Sequence, residues 1–302
     1  MDLLEQTKQL CNIYNIKPAR SKGQNFLIKE DVYDRIIDAA DLKSSDVVLE
    51  VGPGLGFLTS KLALKARKVI AIELDDKLAE VLKTGLISRE VENVEVVNDN
   101  ILELGIENFE FRINNKKNIQ NSKFNPPAGR QNSFKIVANL PYNITSVFLR
   151  KFLSAENKPE LVVLMLQKEV AERIVAKKGK MSLLAVSVQF YAEAEVIQTV
   201  PSNNFWPEPK VDSAIVRIEA KLLRFFGKNR RSLASLDEKE FFRLVKIGFS
   251  AKRKMLKNNL ANGCHITREE AEQWLKKSGL SPKVRAQELS VEDWIKLFKE
   301  NI

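Results

Sequence analysis

The stretch Leu-Glu-Val-Gly-Pro-Gly-Leu-Gly-Phe, residues 49–57, closes an apolar run and decides the fold. The run at 46–52 predicts a buried strand, and the segment at 57–66 has helical spacing. Gly52, Gly54 and a third glycine two positions later let the backbone turn sharply and let a ligand approach it closely. The stretch therefore predicts a strand, a glycine loop and a helix, with a ligand at the loop.

Strands and helices alternate on the C-terminal side of this unit. Apolar runs predict further strands at 68–74, 94–101, 135–140 and 160–167, and extended segments at 185–200 and 213–220. Alternation of this kind predicts an α/β fold, with a mostly parallel sheet and helices on both faces.

The pattern changes after residue 220. Segments 237–249, 252–261, 267–278 and 290–300 have helical patterns, and strand signals are missing there. We therefore predict two domains, an α/β domain at 1–220 and a smaller all-helical domain at 221–302. Within the second domain, Thr267 and Ser290 are each followed three residues later by an acid, which predicts helix N-caps.

Net charge separates the two predicted domains. The chain carries 49 Lys and Arg against 39 Asp and Glu, and residues 221–302 hold 19 of the bases and only 10 of the acids. The excess is therefore almost wholly in the helical domain. Localised positive charge is typical of a polyanion-binding surface, most often for nucleic acid, although a solvated lysine-rich surface has the same composition.

The chain has few residues for metal or imidazole chemistry. It has two cysteines, Cys11 and Cys264, and one histidine, His265, which lies in a polar stretch. This composition predicts no disulfide framework, no metal site and no histidine acid or base. The longest apolar run, 161–166, is too short to cross a bilayer, so we expect no membrane partner and a cytoplasmic protein.

One segment predicts no packed structure. Residues 112–133 contain six asparagines, five basic residues, no acid and a Pro-Pro. Such a composition cannot bury a core, and we interpret it as a flexible insertion without a chemical role.

Acidic residues end two further strands on the edge that carries the glycine loop. Glu73 ends the second strand and can accept hydrogen bonds from both hydroxyls of a ribose. Asp99 ends the third strand and can accept from an exocyclic amine such as that of adenine. Phe57 stands where a dinucleotide fingerprint needs glycine, and the chain has no Gly-Lys-Ser/Thr phosphate loop. S-adenosylmethionine fits this set best.

The fourth strand delivers Val-Ala-Asn-Leu-Pro-Tyr, from residue 137, to the same edge. Adenine N6 is a poor nucleophile because its lone pair is delocalised into the ring. The Asn139 side chain and the Leu140 carbonyl can accept its N–H groups and draw the nitrogen towards sp³ geometry. Pro141 would keep the backbone rigid, and Tyr142 would stack on a flipped base. A plain strand-ending turn is the alternative.

Seven ordered motifs then identify a family. They are RSKGQNFL (20–27), LEVGPGLGFLT (49–59), AIELDDKL (71–78), NLPYNIT (139–145), LQKEVAERIVA (166–176), FWPEPKVDSAIV (205–216) and FSAKRKMLKNNL (249–260). Together they resemble the ribosomal RNA small-subunit adenine N6-dimethyltransferases of the kasugamycin-resistance type, across nearly the whole chain.

The resemblance implies a Rossmann-like class I methyltransferase fold with a helical C-terminal domain that binds rRNA. It implies transfer of two methyl groups to N6 of each of two adjacent adenosines near the 3′ end of small-subunit rRNA. The enzyme would act during ribosome biogenesis. The small ribosomal subunit would be the partner, and we expect a monomer because the sequence has no heptad repeat.

The resemblance also assigns residues to the cofactor and to the target base. Asn25 and Leu27 would close over the cofactor, and Gly52 would lie against its methionine portion. Phe205 would cover the face of the target base opposite Tyr142. The roles that it implies for the strand ends agree with those argued above: Glu73 on the ribose, Asp99 on the adenine and Asn139 between cofactor and target amine.

The chain departs from the family pattern at four places. Lys29 and Glu30 follow the first motif where the family usually has Asp first, and Asn100 follows Asp99 where a small or apolar residue is common. The loop at 177–182 lacks the usual Tyr-Gly, and the 112–133 insertion is extra. The first two affect the cofactor pocket, and the last two affect RNA docking.

Three alternatives remain open at this point. A large-subunit rRNA dimethyltransferase of the antibiotic-resistance type usually has Ile at the position of Leu140. A DNA adenine methyltransferase typically has Pro there. The third alternative is a non-catalytic assembly factor that binds rRNA or DNA through Lys252, Arg253 and Lys254, with an affinity that falls steeply with salt.

Overall fold

The computed structural model describes residues 1–18, 24–104, 134–221 and 236–301. The insertion predicted at 112–133 lies outside them. The chain divides into two compact units. The first comprises Met1–Ala171 and Glu195–Ala220, and the second comprises Glu172–Ala194 and Lys221–Ile302.

The described strands are β1 (Phe26–Leu27), β2 (Val47–Val51), β3 (Lys68–Glu73), β4 (Val94–Asn98), β5 (Lys135–Asn139), β6 (Leu161–Gln167), β7 (Ala192–Val200), β8 (Phe205–Trp206) and β9 (Ser213–Ala220). The helices up to residue 191 are α1 (Leu3–Ile13), α2 (Glu30–Ala40), α3 (Phe57–Ala63), α4 (Asp76–Ser88), α5 (Thr145–Leu153), α6 (Lys168–Ile174) and α7 (Leu183–Tyr191).

Seven strands form one sheet in the order β4-β3-β2-β5-β6-β9-β7. The neighbours from β4 to β6 are parallel, and β9 is antiparallel to β6. Helix α2 packs on β5, β6 and β9, while α3 and α4 pack on β3. This arrangement confirms the predicted α/β fold with a mostly parallel sheet.

Register brings three strand ends to one edge of the sheet. Val51, the last residue of β2, pairs with Ile72 of β3 and with Ala138 of β5. All five residues of β2 are buried, as expected for a central parallel strand covered on both faces. The segments that follow β2, β3 and β5 therefore start side by side, and they carry most of the residues predicted for the site.

Lys135 anchors the start of β5 inside the first unit. Its Nζ lies 2.9 Å from Asp46 Oδ2 and donates to the carbonyls of Ala40 and Asp41 at 3.1 and 2.6 Å. A buried ammonium is stable only when it is paired in this way. The contacts tie the end of α2 to the strand that delivers Asn139.

The segment predicted to be extended at 185–200 is only partly so, and this prediction was wrong for 185–191. These residues belong to α7, which begins where the Ser182 side chain accepts a hydrogen bond from Ala185 N. The apolar face of α7 packs inside the second unit, where the Phe190 ring stacks on Phe241 at 4.8 Å. Tertiary packing overrides the β-like composition of this segment.

The second unit also contains the C-terminal helices α8 (Glu238–Gly248), α9 (Leu256–Cys264), α10 (Arg268–Lys277) and α11 (Val291–Asn301). Thr267 and Glu270 form a capping box at the start of α10, and Ser290 and Asp293 exchange the same pair of bonds before α11. Both predicted N-caps are confirmed. Helix α7 packs with these helices, so the second unit also includes residues on the N-terminal side of 220. The two units are therefore not separated by a single boundary at residue 220.

No helix in the described part of the chain is both long enough and apolar enough to span a membrane.

Candidate active site

The glycine loop after β2 has a backbone that other residues rarely adopt. The φ angles of Gly52, Gly54 and Gly56 are 68°, 57° and 84°, all in the left-handed region. Gly52 N donates to Ile72 O at 2.9 Å, and Gly54 N donates to Glu73 Oε2 at 3.0 Å. The loop is therefore held against the end of β3.

Glu73 organises the end of β3. Its second oxygen, Oε1, accepts from Asp75 N at 2.9 Å, so both carboxylate oxygens receive backbone N–H groups. The side chain is 6% exposed and lines the same cavity as Gly52 and Gly54. Burial raises its pKa, while the two backbone donors lower it. The remaining acceptor capacity of the two oxygens suits the hydroxyls of a ribose.

The end of β5 lies directly across from the loop. A Cβ on Gly52 would lie 3.7 Å from the main-chain oxygen of Asn139 and 3.8 Å from Cδ of Pro141. Asn139 and Pro141 line the cavity together with the loop. The side-chain amide of Asn139 makes no hydrogen bond to any described residue, so its donors and acceptor are available to a ligand.

The N-terminal segment forms another wall of the cavity. Asn25 and Leu27 both line it, and Leu27 lies in β1, which pairs with β8. Tyr33 of α2 donates its hydroxyl to Leu27 O at 3.0 Å. The short ribbon and this hydrogen bond hold β1 in place, so the structure brings both residues of the first motif to the predicted cofactor site.

Among the lining residues that were not predicted from the sequence, two have ionisable side chains, Tyr33 and Glu50. Glu50 is 1% exposed, and neither of its oxygens accepts a hydrogen bond of normal geometry from a described residue. Burial raises its pKa to about 8; the nearby Thr59 hydroxyl opposes this shift and the charge of Glu73 adds to it. The sequence signal was an acid inside an otherwise apolar strand, Val-Val-Leu-Glu-Val.

Asp99 and Phe205 do not line the cavity. Asp99 follows β4, donates its N–H to Glu73 O at 3.0 Å and is exposed at the same sheet edge. The Phe205 ring is 3% exposed and lies in the core with its strand partner Leu27. Covering a base would require this ring to leave the core, so that role stays a prediction.

Tyr142 and Leu140 flank the proline of the catalytic motif. Leu140 is 1% exposed, so only its main chain is a candidate for contact with substrate. The Tyr142 ring is half-buried, and its hydroxyl lies 2.8 Å from Ser213 Oγ. Burial raises the Tyr142 pKa, so the hydroxyl is neutral at physiological pH. The hydrogen bond limits rotation of the ring.

The predicted RNA-binding residues lie in the second unit. Lys252, Arg253 and Lys254 are all exposed in the turn between α8 and α9, where Lys254 N donates to Ala251 O at 3.0 Å. Three adjacent cations on one turn are a suitable arrangement for phosphate contacts.

The ionisable residues that line the cavity indicate the charge of its ligand. Among the described residues that line it there are two carboxyl groups, Glu50 and Glu73, and no Lys, Arg or His. Such a lining suits a cationic nucleoside and disfavours phosphates. No group of three or more His, Cys, Asp or Glu in the described part of the chain is placed to hold a metal ion.

The family model for ribosomal RNA adenine dimethylases matches residues 16–302. The chain belongs to this family. It is therefore a methyltransferase that depends on S-adenosylmethionine, and ribosomal RNA is its substrate. The cavity fits this cofactor, since it combines acceptors for a ribose with a lining whose described residues include no cation to repel a sulfonium.

Curated relatives of this adenine dimethylase match along nearly their full length. A protein from Dehalococcoides mccartyi strain CBDB1, named ribosomal RNA small subunit methyltransferase A, is 40% identical over 298 residues, 99% of this chain and 93% of the relative. A protein with the same name from Staphylococcus aureus strain JH9 is 34% identical over 302 residues, 98% of this chain and 93% of the relative.

Solved structures confirm the class I methyltransferase fold of the dimethylase. A dimethyladenosine transferase from Plasmodium falciparum superimposes with a TM-score of 0.70 at 27% identity, covering 91% of this chain and 96% of that one. The 23S rRNA methyltransferase ErmE superimposes with a TM-score of 0.65 at 28% identity, covering 92% and 99%.

Proposed function

We propose that this dimethylase methylates N6 of two adjacent adenosines near the 3′ end of small-subunit rRNA, giving N6,N6-dimethyladenosines during subunit biogenesis. Two observations support the proposal. The side-chain amide of Asn139, which has no hydrogen-bond partner among the described residues, lies at the cofactor cavity and three residues before the half-buried ring of Tyr142. The relatives at 40% and 34% identity are named for the small subunit.

The chain's own groups position the target amine. When bound, S-adenosylmethionine supplies an electrophilic methyl group on a sulfonium. The Asn139 side-chain oxygen and the Leu140 carbonyl accept the two N–H groups of adenine, which favours pyramidal nitrogen. Pro141 restricts the backbone between these acceptors and the ring of Tyr142. Tyr142 stacks on the base, an interaction worth about 1–3 kcal/mol.

The cofactor roles follow the same geometry. Glu73 accepts from the ribose hydroxyls, and the glycine loop lets the cofactor approach the main chain at Gly52 and Gly54. Asn25 and Leu27 cover the cavity from the N-terminal side. Asp99 has an exposed carboxylate at the same sheet edge for the adenine amine.

The helical unit binds the rRNA. The turn of Lys252, Arg253 and Lys254 contacts phosphates, and the remaining basic residues of 221–302 add longer-range attraction. We also infer that the protein acts as a monomer in the cytoplasm, where its rRNA substrate is assembled. Light scattering on the purified protein and on its complex with the subunit tests the stoichiometry.

Large-subunit rRNA is a second candidate substrate, because ErmE, a 23S rRNA methyltransferase, superimposes over nearly its full length. Leu140 in the catalytic motif favours the small subunit. The test is methyl transfer from labelled S-adenosylmethionine to unmodified small subunits, to large-subunit rRNA and to duplex DNA, with products mapped by mass spectrometry. Dimethyladenosine at two adjacent small-subunit sites supports the proposal, whereas transfer to large-subunit rRNA alone supports the second candidate.

A matched pair of variants tests the assigned chemistry in the same assay. Asn139→Ala removes the acceptor, and we expect at least a 100-fold loss of kcat with rRNA binding retained. Asn12→Ala makes the same change at an exposed position of α1 and should leave kcat unchanged. A kcat for Asn139→Ala within threefold of wild type would contradict the role of this amide.

A further inference from the structure

Gln167, the last residue of β6, has a polar side chain without a role in the cofactor cavity. The first six residues of the strand are buried, and Gln167 is half-buried. Its side-chain amide makes no hydrogen bond to any described residue, so its N–H donors and its oxygen are available to a ligand. The backbone beside it is held in place, because Lys168 N donates to Asp212 O at 3.0 Å.

Strand register places Gln167 on the same face of the sheet as Asn139. Asn139 pairs with Met165 in the parallel ladder, and Gln167 lies two residues farther along β6. Paired residues, and residues two apart in one strand, project to the same face. With a rise of about 3.3 Å per residue and a strand spacing of about 4.8 Å, the Cα atoms of Asn139 and Gln167 are about 8 Å apart. An adenine whose amine lies at Asn139 is therefore within reach of the Gln167 side chain.

The neighbouring strand connects Gln167 to the ring of Tyr142. Ser213, the first residue of β9, is the antiparallel partner of Gln167, and its hydroxyl lies 2.8 Å from the Tyr142 hydroxyl. Opposed side chains in an antiparallel pair have Cβ atoms about 4.5–5.5 Å apart. The ring that stacks on the base in the proposed function is therefore held by the residue directly opposite Gln167.

The other aromatic residue predicted to cover the base lies against the same face. Met165 and Ile215 form the next pair on this face, and both belong to the apolar cluster that contains the Phe205 ring. Gln167 therefore lies at the end of the sheet face that carries both predicted base contacts, Tyr142 and Phe205.

An adenine bound here needs a hydrogen-bond donor as well as acceptors. The Asn139 side chain and the Leu140 carbonyl can accept the N–H groups of its amine. The ring nitrogens on either side of the amine, N1 and N7, are themselves acceptors. The Gln167 amide has two N–H donors, and the hydroxyls of Tyr142 and Ser213 already bond each other.

We propose that Gln167 donates a side-chain N–H to a ring nitrogen of the target adenine next to the amine, N1 or N7, and so fixes the rotation of the base in its plane. The inference deepens the proposed methylation of adenine N6 and rests on it. A base held at its amine alone can pivot about that point. A second contact on the ring keeps the amine nitrogen aligned with the methyl donor.

Target analogues that lack one ring nitrogen test the proposal. Small subunits are assembled with 1-deazaadenosine or 7-deazaadenosine at one target position, and kcat/KM for methyl transfer is compared with that for adenosine. The ratio of adenosine to analogue is measured for wild type and for Gln167→Met, which has a side chain of similar length without a donor. Intrinsic differences in reactivity affect both proteins and cancel. For one analogue, the wild-type ratio should exceed the variant's ratio about 5- to 150-fold, because only wild type loses a hydrogen bond. That analogue identifies the nitrogen.

Further variants separate this contact from a structural effect. Gln167→Glu has no N–H donor at neutral pH and should resemble Gln167→Met, and it replaces that variant in the assay if Gln167→Met does not fold. Gln9→Met, at an exposed site on α1, should behave as wild type with all three substrates. Both Gln167 variants should bind S-adenosylhomocysteine as wild type does, because Gln167 does not line the cofactor cavity.

Two results would overturn the inference. One is an equal ratio of adenosine to analogue in wild type and in the Gln167 variants, for both analogues. The other is a wild type that methylates both analogues as fast as adenosine, which would exclude a ring-nitrogen contact whether or not a variant folds. Failure of wild type to methylate the unmodified small subunit would instead contradict the proposed function.

Discussion

Glu50 should make the stability of the cofactor-free protein fall as pH rises, and Glu50→Gln should remove that dependence. Its pKa is about 8 in the folded protein against an ordinary value of 4.5. Between these values the unfolded chain has lost the proton and the folded chain has kept it. The folded state therefore binds more protons, so the free energy of unfolding decreases with pH up to about 8 and levels off above it.

The expected size of this effect follows from the two pKa values. The limiting slope is about 1.4 kcal/mol per pH unit, and the loss between pH 5 and pH 7 is about 2.5 kcal/mol. The Gln side chain does not titrate, so the variant lacks this term. Its buried amide has its own cost, but that cost is independent of pH.

Urea unfolding from pH 5 to pH 7.5, without cofactor, measures the contribution of Glu50 to stability. This contribution is the difference in the free energy of unfolding between wild type and Glu50→Gln. Groups other than Glu50 contribute equally to wild type and variant and cancel in the difference. Glu50→Gln should gain stability relative to wild type by about 2.5 kcal/mol between pH 5 and pH 7. For Glu80→Gln, the same change at an exposed site on α4, the free energy of unfolding should change with pH in parallel with that of wild type. Parallel curves for Glu50→Gln would refute the reasoning, since Glu50 would then be ionised in the free protein.

Three further predictions follow from other contacts. Lys135→Met removes the ammonium of a largely buried ion pair and leaves the Asp46 carboxylate with only its hydrogen bond from Lys43 N. Thermal unfolding should therefore show a loss of stability of about 3–5 kcal/mol. Lys8→Met, at an exposed site, should show no such loss, and an equal loss in both variants would exclude the ion pair as the cause. Tyr142→Ala should lower kcat/KM for rRNA about 5- to 150-fold, because the stacking of the ring on the base is lost. Tyr142→Phe keeps the ring and should retain most of the activity. Similar losses in the two variants would argue against stacking. Replacing Lys252, Arg253 and Lys254 by Ala should reduce the slope of log K against log salt by about 3 in filter binding, and an unchanged slope would place the phosphate contacts elsewhere.

Much of the fold and part of the site could be predicted from local patterns. The glycine loop, the alternation of strands and helices and the acids at strand ends are encoded within short windows. The acids could be assigned to one site because strand ends in a parallel sheet share one edge. Glu73 and Asn139 reach the cavity for this reason. The N-caps at Thr267 and Ser290 are equally local, since each involves a residue and its third successor.

Other features depend on contacts between distant segments. The ribbon that pairs Leu27 with Phe205 joins residues far apart in the chain, and its pairing is not visible in either segment alone. The same pairing buries the Phe205 ring, although the motif predicts contact with a base. Residues 185–191 have a strand-like composition and form a helix because they pack against aromatic rings of the second unit.

The sequence by itself determined the α/β order, the glycine loop, the basic helical segment and, through seven ordered motifs, the family. These are properties of residue spacing and type. Only the tertiary structure decided the state of Glu50, because its neutrality depends on what surrounds the carboxyl: buried neighbours, no cation among the described lining residues and no described donor in normal hydrogen-bond geometry. An acid in an apolar strand does not reveal whether it will be paired; the packing of Tyr33, Thr59 and Glu73 around it does.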